Sequence, residues 1–176
     1  MKTLPKIILI GLILVISVGC DQATKSVARE HLAAAPPISY WGDVFRFHYI
    51  ENVGAFLGMG SMLSESARFW LLVVVNGVVL LGMLLFIVAA RDLKPLNVLG
   101  WSLIIGGGVG NLVDRLLYEG AVIDFMNMGL GRLRTGIFNV ADVAIVLGLV
   151  IVVAASLWDG RSSQSDGEQD RAGLEL

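Results

Sequence analysis

Long runs of residues without a single charge constrain this chain more than any other feature. Residues 69–90 give 22 uncharged positions, residues 95–113 give 19, and residues 143–158 give 16. The last run extends upstream through residues 135–141, interrupted only by Asp142. Because a helix needs about 20 predominantly apolar residues to cross a bilayer, each run predicts a membrane-spanning helix.

A fourth apolar run, near the N-terminus, ends at Cys20. A lysine-flanked run closed by a cysteine is also typical of a bacterial lipoprotein signal peptide, which is the alternative interpretation. It fits poorly, because Ser17 replaces the leucine-like residue expected three positions before the cysteine, and it leaves the other three runs unexplained. In a continued helix Asp21 and Lys25 lie at i and i+4, where opposite charges compensate. We therefore predict a retained span over residues 6–25.

Composition agrees with a membrane protein and narrows the chemistry. The 176 residues are 56% hydrophobic and 16% charged, whereas soluble domains carry about 25% charge. The net charge of −2 gives no indication of a nucleic-acid partner. The single cysteine excludes an internal disulfide, and His31 and His48 without paired cysteines leave no zinc signature. We expect these two histidines at the surface.

The fold class predicted from this pattern is an all-α membrane protein with four transmembrane helices and a small periplasmic β-hairpin or sheet. Residues 1–158 form a single domain, and the polar tail, residues 159–176, is predicted to be disordered and cytoplasmic. Basic residues divide six against seven between the two sides, so the positive-inside rule does not decide the orientation. The lysines before the first span favour both termini inside. The predicted spans are residues 6–25, 68–90, 95–117 and 137–158.

The first extramembrane segment, residues 26–67, carries an alternating pattern. Aromatic and polar residues alternate over residues 45–49, after a two-residue turn at Gly42 and Asp43. This pattern predicts a β-hairpin. Aromatic side chains in this segment also suit the membrane–water interface: Tyr40, Trp41, Phe45, Phe47 and Tyr49.

Polar residues concentrate at one depth of the predicted bundle, where the ends of the first, third and fourth spans lie on one side. Ionisable groups in a membrane are costly and usually face a bundle interior or a water-filled cavity. Structural pairs such as Asp114 with Arg115, or Asp21 with Lys25, are the alternative for any single residue, but the shared depth favours a site. These residues are Asp21, Lys25, Asn111, Asp114, Arg115, Asp124, Asn139 and Asp142.

Two of these carboxylates, Asp124 and Asp142, lack an obvious cation nearby in the sequence. Burial raises the pKa of a carboxyl group, and two carboxyl groups close together share one proton. One ionised and one neutral carboxyl can activate water and protonate a leaving amine, which is the chemistry of aspartic peptide hydrolysis. Asn139, three residues before Asp142 on the same helical face, is placed to orient a carboxylate.

The glycine-rich stretch over residues 104–115 predicts close helix packing. Gly106 and Gly110 form a small-xxx-small pattern, and a phosphate-binding loop would need a preceding strand and a following Gly-Lys-Ser/Thr. Other catalytic schemes are weaker. Cys20 has no histidine near it in the sequence, and a serine–lysine dyad at Lys25 has no serine in a distinctive context.

Taken together, five short blocks closely resemble the bacterial lipoprotein signal peptidases, also called signal peptidase II. The blocks occur in the family's order and span most of the chain outside the tail. Each block alone is weak, but five in order on a four-span frame are highly specific. They are "DQATK" at 21–25, "NVGAF" at 52–56, "GGGVGNLVDR" at 106–115, "VIDF" at 122–125 and "FNVADVAIVLG" at 138–148.

The resemblance implies a multi-pass inner-membrane aspartic endopeptidase, with its active site near the periplasmic face and no metal or other cofactor. Its substrates would be prolipoproteins carrying a diacylglyceryl cysteine, cut before that cysteine. We further expect a monomer in contact with membrane lipids. The family's catalytic pair maps onto Asp124 and Asp142. Its supporting residues map onto Asp21, Lys25, Asn52, Gly54, Asn111, Arg115 and Asn139.

One block departs from the family pattern, which usually reads "GAAF" where this chain has "GAF" after Val53. Either one residue is missing or Phe56 replaces the second alanine, so the substrate-contacting loop is expected to differ. Two further functions are alternatives: an inactive homologue that binds lipidated signal peptides, and a small transporter. The presence of both aspartates argues against the first. Transporters usually show internal repeats and broken helices, and the sequence indicates neither.

Overall fold

A computed structural model describes residues 3–54, 60 and 62–174, with side chains described as far as residue 158. Within these residues, four helices are long and apolar enough to cross a membrane, which confirms the predicted fold class. Helix α2 is π-helical over Phe69–Val75. The helices are α1 at Thr3–Leu32, α2 at Glu65–Ala89, α3 at Pro95–Leu117 and α4 at Val140–Leu174.

The largest differences between the helix bounds and the predicted spans are at the C-terminal ends of α1 and α4. Helix α1 has 30 residues, a length of about 45 Å that exceeds the roughly 30 Å hydrocarbon core, so its end projects beyond the apolar layer. Helix α4 continues to Leu174 through the segment for which composition predicted disorder. Extending an existing helix fixes one residue per added hydrogen bond, and no proline follows Pro95 to stop it.

A four-stranded antiparallel sheet of order β1-β2-β3-β4 lies outside the spans. The predicted hairpin is present, although its turn covers residues 41–44 and is longer than the two residues expected. Strands β3 and β4 were not predicted. Pairing of β2 with β3 joins the two extramembrane segments, so both lie on one side. The strands are β1 at Ile38–Tyr40, β2 at Phe45–Asn52, β3 at Val122–Leu130 and β4 at Leu133–Arg134.

Glycines of α3 allow the neighbouring helices to approach closely, as the small-residue pattern predicted. A Cβ atom at Gly106 would lie 2.8 Å from Ser17 Cβ of α1, and one at Gly110 would lie 2.5 Å from Asp21 Oδ2. A Cβ atom at Gly107 would overlap the carbonyl oxygen of Ala141 in α4. Helix α3 therefore lies between α1 and α4 and brings their polar ends together.

Lys6 links α1 to α2 at the end of the bundle opposite the polar residues. Its side chain is buried, and Nζ donates hydrogen bonds to the carbonyl oxygens of Val88 at 2.8 Å and Ala90 at 2.7 Å. These carbonyls end α2, where unpaired acceptors and the helix dipole favour a cation. The sequence predicts only a charge flanking the first apolar run at Lys6, and not its contacts with the end of α2.

Candidate active site

Lys25 is the centre of a buried ionic cluster between α1 and α3. Its Nζ lies 2.8 Å from Asp21 Oδ2 and 2.9 Å from Asp114 Oδ2, and it donates to Asn111 Oδ1 at 2.9 Å. The side chains of Lys25, Asp21 and Asp114 are 2% exposed or less. Because an ammonium group has three donors and all three are engaged, Lys25 is unsuited to act as the base of a serine–lysine dyad.

The two aspartates of this cluster also bind backbone groups of other elements. Asp21 Oδ1 accepts the N–H of Ala141 at 2.9 Å, at the start of α4. Asp114 Oδ2 accepts the N–H of Ile123 at 2.9 Å, in β3. The cluster thus fixes where α4 and β3 begin relative to α1 and α3.

The predicted pair of Asp21 with Lys25 is confirmed, whereas the pair of Asp114 with Arg115 is wrong. Adjacent residues on a helix project about 100° apart, so Asp114 faces α1 and pairs with Lys25. Arg115 instead donates from Nη1 to the carbonyl oxygen of Asn111 at 3.2 Å.

Gln22 belongs to the ionic cluster and was missed by the sequence analysis. Its Nε2 donates to Asp114 Oδ1 at 2.8 Å, and it also lies 3.2 Å from Asp21 Oδ2 and from the carbonyl oxygen of Gly110. The available signal was an amide beside Asp21 in the "DQATK" block, at the helix end where the polar residues gather.

Asp124 and Asp142 lie at the junction of β3, α3 and α4. Asp124 Oδ2 accepts a hydrogen bond from Asn52 Nδ2 at 3.0 Å, and Oδ1 accepts one from Asn139 Nδ2 at 2.6 Å. Asp142 Oδ1 accepts from Asn111 Nδ2 at 3.0 Å, and Oδ2 accepts from the Asn139 N–H at 3.1 Å. All four of these donors are neutral amides.

Asn139 caps α4 and links both carboxylates. Its Oδ1 accepts the Asp142 N–H at 2.9 Å while Asp142 accepts the Asn139 N–H, which is a reciprocal capping box. This cap explains why the helix begins at Val140 and not at residue 137 as predicted. Asp142 consequently lies in the first turn of α4, where the helix dipole favours a negative charge.

Asn111 connects the ionic cluster to the carboxylate pair. Its Oδ1 accepts hydrogen bonds from Lys25 Nζ at 2.9 Å and from Asn139 Nδ2 at 3.1 Å. Two donors on one oxygen fix the orientation of the amide, so Nδ2 faces Asp142. Lys25 therefore orients the group that holds Asp142 without touching that carboxylate.

The two carboxylates differ in burial. Asp124 is 2% exposed, whereas Asp142 is partly buried. Burial raises the pKa of Asp124 to about 6, and the charge of Asp142 adds to this rise, while hydrogen bonds from Asn52 and Asn139 oppose it. Asp124 is thus the carboxyl that retains a proton at higher pH than an ordinary aspartate.

The loop after β2 is held against the site by Arg115. Its Nη2 donates to the carbonyl oxygen of Gly54 at 3.0 Å. The Gly54 N–H donates to Asn52 Oδ1 at 3.0 Å, which turns Asn52 Nδ2 toward Asp124. Ala55 and Phe56 of the shortened block lie outside the described residues, so the altered loop stays a prediction.

The structure brings every predicted site residue into these two connected groups. The other candidates lie apart from them: Cys20 is exposed on α1, and the two histidines are exposed, as expected. Over the described part of the chain, no group of three or more His, Cys, Asp or Glu residues is placed to hold a metal ion.

Fold and site together define a class of protein: a multi-pass membrane protein that holds a carboxylate pair where its helices meet an extramembrane sheet. The family model described as "Signal peptidase (SPase) II" matches residues 13–158. A lipoprotein signal peptidase of Chlorobium luteolum is 36% identical over 145 residues, which cover 77% of this chain and 83% of the relative. One of Brevibacillus brevis is 30% identical over 153 residues, covering 87% and 97%.

Two solved structures described as bacterial membrane enzymes share the fold. One has a TM-score of 0.73 at 26% identity and covers 86% of this chain and 88% of its own. The other has a TM-score of 0.69 at 25% identity, covering 84% and 92%. The chain belongs to the signal peptidase II family, and it is therefore a membrane-embedded peptidase.

Proposed function

We propose that this protein is an aspartic endopeptidase that removes signal peptides from prolipoproteins whose cysteine carries diacylglycerol. Its relatives are named lipoprotein signal peptidases, which supports the substrate class. One observation carries the chemistry: Asp124 and Asp142 receive hydrogen bonds from neutral amides, and Asn139 binds both. Carboxylates held in this way keep the freedom to exchange protons that an ion pair with lysine would remove.

The geometry supports distinct roles for the two carboxylates. Asp142, in the first turn of α4 and bonded on both oxygens, is the base that takes a proton from water. The water oxygen then bonds to the scissile carbonyl carbon. Asp124, with its raised pKa, is the acid that protonates the leaving amine as the C–N bond breaks.

The remaining site residues position this pair. Asn52, Asn111 and Asn139 bind the carboxylates directly. The other supporting residues act through these amides or through the backbone: Asp21, Lys25, Gly54 and Arg115.

We also infer the setting of the site. The carboxylate pair lies at the ends of the spans beside the sheet, a depth that suits a lipidated cysteine at a membrane surface. With an even number of spans, both termini lie on the side opposite the sheet. We assign that side to the cytoplasm of an inner-membrane monomer surrounded by lipid. Topology reporters at Arg91 should then report cytoplasm, and reporters at Gly42 should report periplasm.

The test is hydrolysis of a synthetic prolipoprotein peptide by the purified full chain in lipid bicelles. Mass spectrometry of the products should place the cut immediately before the cysteine when that cysteine carries diacylglycerol. The same peptide without the lipid is the control and should be cut slowly. Binding of the lipidated peptide without hydrolysis would favour the inactive-homologue alternative.

A further inference from the structure

The end of the sheet farthest from the carboxylate pair is formed by two neighbouring turns. Residue Phe45 pairs with Met128, and the Gly129 N–H donates to the Val44 carbonyl oxygen at 2.8 Å. The turn between β1 and β2 therefore lies beside the turn between β3 and β4. We call residues 41–44 and 128–133 the sheet tip.

Large apolar side chains of the sheet tip are left uncovered. Trp41 is 81% exposed, Leu133 is 83% exposed and Leu130 is 72% exposed. On the membrane-spanning helices such exposure is expected because lipid covers it. Outside the spans, exposed apolar groups of this size at one end of the sheet indicate an interaction surface.

The backbone at Trp41 strengthens this indication. Trp41 has φ 51°, followed by Gly42 at 62° and Asp43 at 74°. Side chains other than glycine, asparagine and aspartate rarely adopt this left-handed conformation. A tryptophan in this conformation that is mostly exposed contributes little to stability through burial. Its side chain is therefore available to bind a partner outside the fold.

Charge at the sheet tip has the opposite sign to the chain as a whole. Arg46, Arg132 and Arg134 lie in or beside the two turns, and Asp43 is the acid among them. Three positive charges against one negative give +2, whereas the whole chain carries −2. Asp43 is itself engaged by Arg46 and by Arg134 Nη1 at 3.3 Å. Arg132 remains exposed.

We propose that the sheet tip inserts into the interfacial layer of the bilayer that holds the spans, and that it binds an anionic phospholipid surface. Tryptophan beside leucines suits the headgroup level, and arginines near an anionic leaflet are attracted to its phosphates. Six residue steps along β3 separate Asp124 from Leu130, a distance of about 20 Å, so the tip contacts lipid well away from the carboxylate pair. The strands that carry Asn52 and Asp124 are then fixed at their far ends as well.

This inference is independent of the reaction that the site performs, and its test needs no substrate. The full chain is reconstituted in vesicles of phosphatidylcholine and phosphatidylglycerol containing lipid brominated near the headgroup. Trp41 emission is taken as the difference between wild type and Trp41→Phe, which leaves the other three tryptophans in place. We expect brominated lipid to lower this difference emission about twofold, because an interfacial indole lies within reach of the bromines. The neutral aqueous quencher acrylamide should lower it little.

A second variant tests the charge and the leucines. Leu130→Ser with Leu133→Ser alters only exposed side chains, so folding should persist and lipid quenching of Trp41 should fall to the unbrominated level. For the wild type in vesicles of phosphatidylcholine alone, quenching of Trp41 by acrylamide should increase, because the anionic lipid is absent. The Arg132→Gln variant should show the same increase in mixed vesicles. Trp41 open to acrylamide in mixed vesicles would overturn the proposal. Protection from both quenchers would also overturn it, because a protein surface would then cover the tip.

Discussion

Two groups of aspartates lie side by side at the polar end of the bundle and have opposite surroundings. Asp21 and Asp114 contact the ammonium group of Lys25 directly. Asp124 and Asp142 are bonded by asparagine amides, and Asn111 connects them to that lysine. Both groups sit at the same end of the bundle, so depth in the membrane does not explain the difference.

The difference indicates that one group of aspartates stabilises the fold and the other takes part in the reaction. The ion pairs of Lys25 link α1 to α3 and favour the charged forms of the ammonium group and the two carboxylates. The asparagine amides hold Asp124 and Asp142 in position but leave each carboxyl group able to exchange its proton. Removing a charge from the ionic group should therefore reduce stability. Removing one from the amide-bonded group should reduce activity.

The largest effect should come from Asp124→Asn and Asp142→Asn. Each change keeps the shape and most hydrogen bonding but removes proton transfer, so turnover should fall by about 10²–10⁴-fold or more. The measurement is hydrolysis of lipidated peptide together with the amount of folded protein, which should stay normal. Asp92→Asn, at an exposed acid in the turn between α2 and α3, is the matched control. Near-normal turnover in either folded variant would sink the aspartic mechanism.

The next effect concerns the ionic group and should appear in stability. Lys25→Met leaves Asp21 and Asp114 buried without their cation, which typically costs about 3–5 kcal/mol. Thermal unfolding in detergent should show a large loss, and Asp114→Asn should lower protein abundance more than turnover per folded molecule. Adding Asp21→Asn and Asp114→Asn to Lys25→Met should recover much of the loss, since a whole buried ion group can be replaced. If thermal stability does not recover, Lys25 does not stabilise the fold by pairing with these two charges.

A smaller effect is the pH dependence that Asp124 gives to stability. Burial raises the pKa of Asp124 in the folded protein from the ordinary aspartate value of 3.8 to about 6, so the folded state binds the proton more tightly than the unfolded state. Ionising Asp124 therefore destabilises the fold as pH rises from 4 through 6 and beyond, by up to about 3 kcal/mol at higher pH. Asp124→Asn should flatten this part of the unfolding profile. If the free energy of unfolding still changes with pH to the same extent in this variant, Asp124 is not the cause of the pH dependence.

The smallest effect should follow Cys20→Ser. Cys20 is exposed on α1, and surface substitutions usually change stability by less than about 0.5 kcal/mol. The variant should stay full length, membrane-bound and active by mass spectrometry and peptide assay. Lipid attached to Cys20 of the wild type, or cleavage before it, would restore the lipoprotein interpretation of the first helix.

Much of the site was predictable because its contacts are local or lie within recognisable blocks. The i, i+4 spacing of Asp21 and Lys25 determines their pairing on one helix. Asn139 lies three positions before Asp142, which is the spacing of a capping box. The glycine pattern of α3 indicated close helices without naming which helix would approach.

The remaining contacts depend on partners far apart in the sequence. Asp114 was expected to pair with the adjacent Arg115, yet it binds Lys25 from another helix. Asn52 reaches Asp124 across 72 positions, and Lys6 reaches the end of α2 across more than 80. Strand β3 was not predicted, because most of its pairing is with β2, a strand that lies far from it in the sequence.

The four spans, the hairpin in the first extramembrane segment and the residue types at the polar end could be inferred from the amino-acid sequence. Those features follow from apolar run length, alternation and helical spacing, which act over a few residues. Which aspartates pair with Lys25, and which are bonded by asparagine amides, became clear from the packing of the helices. That choice depends on how closely α1, α3 and α4 pack, because hydrogen bonds and ion pairs in a buried site form only at contact distance.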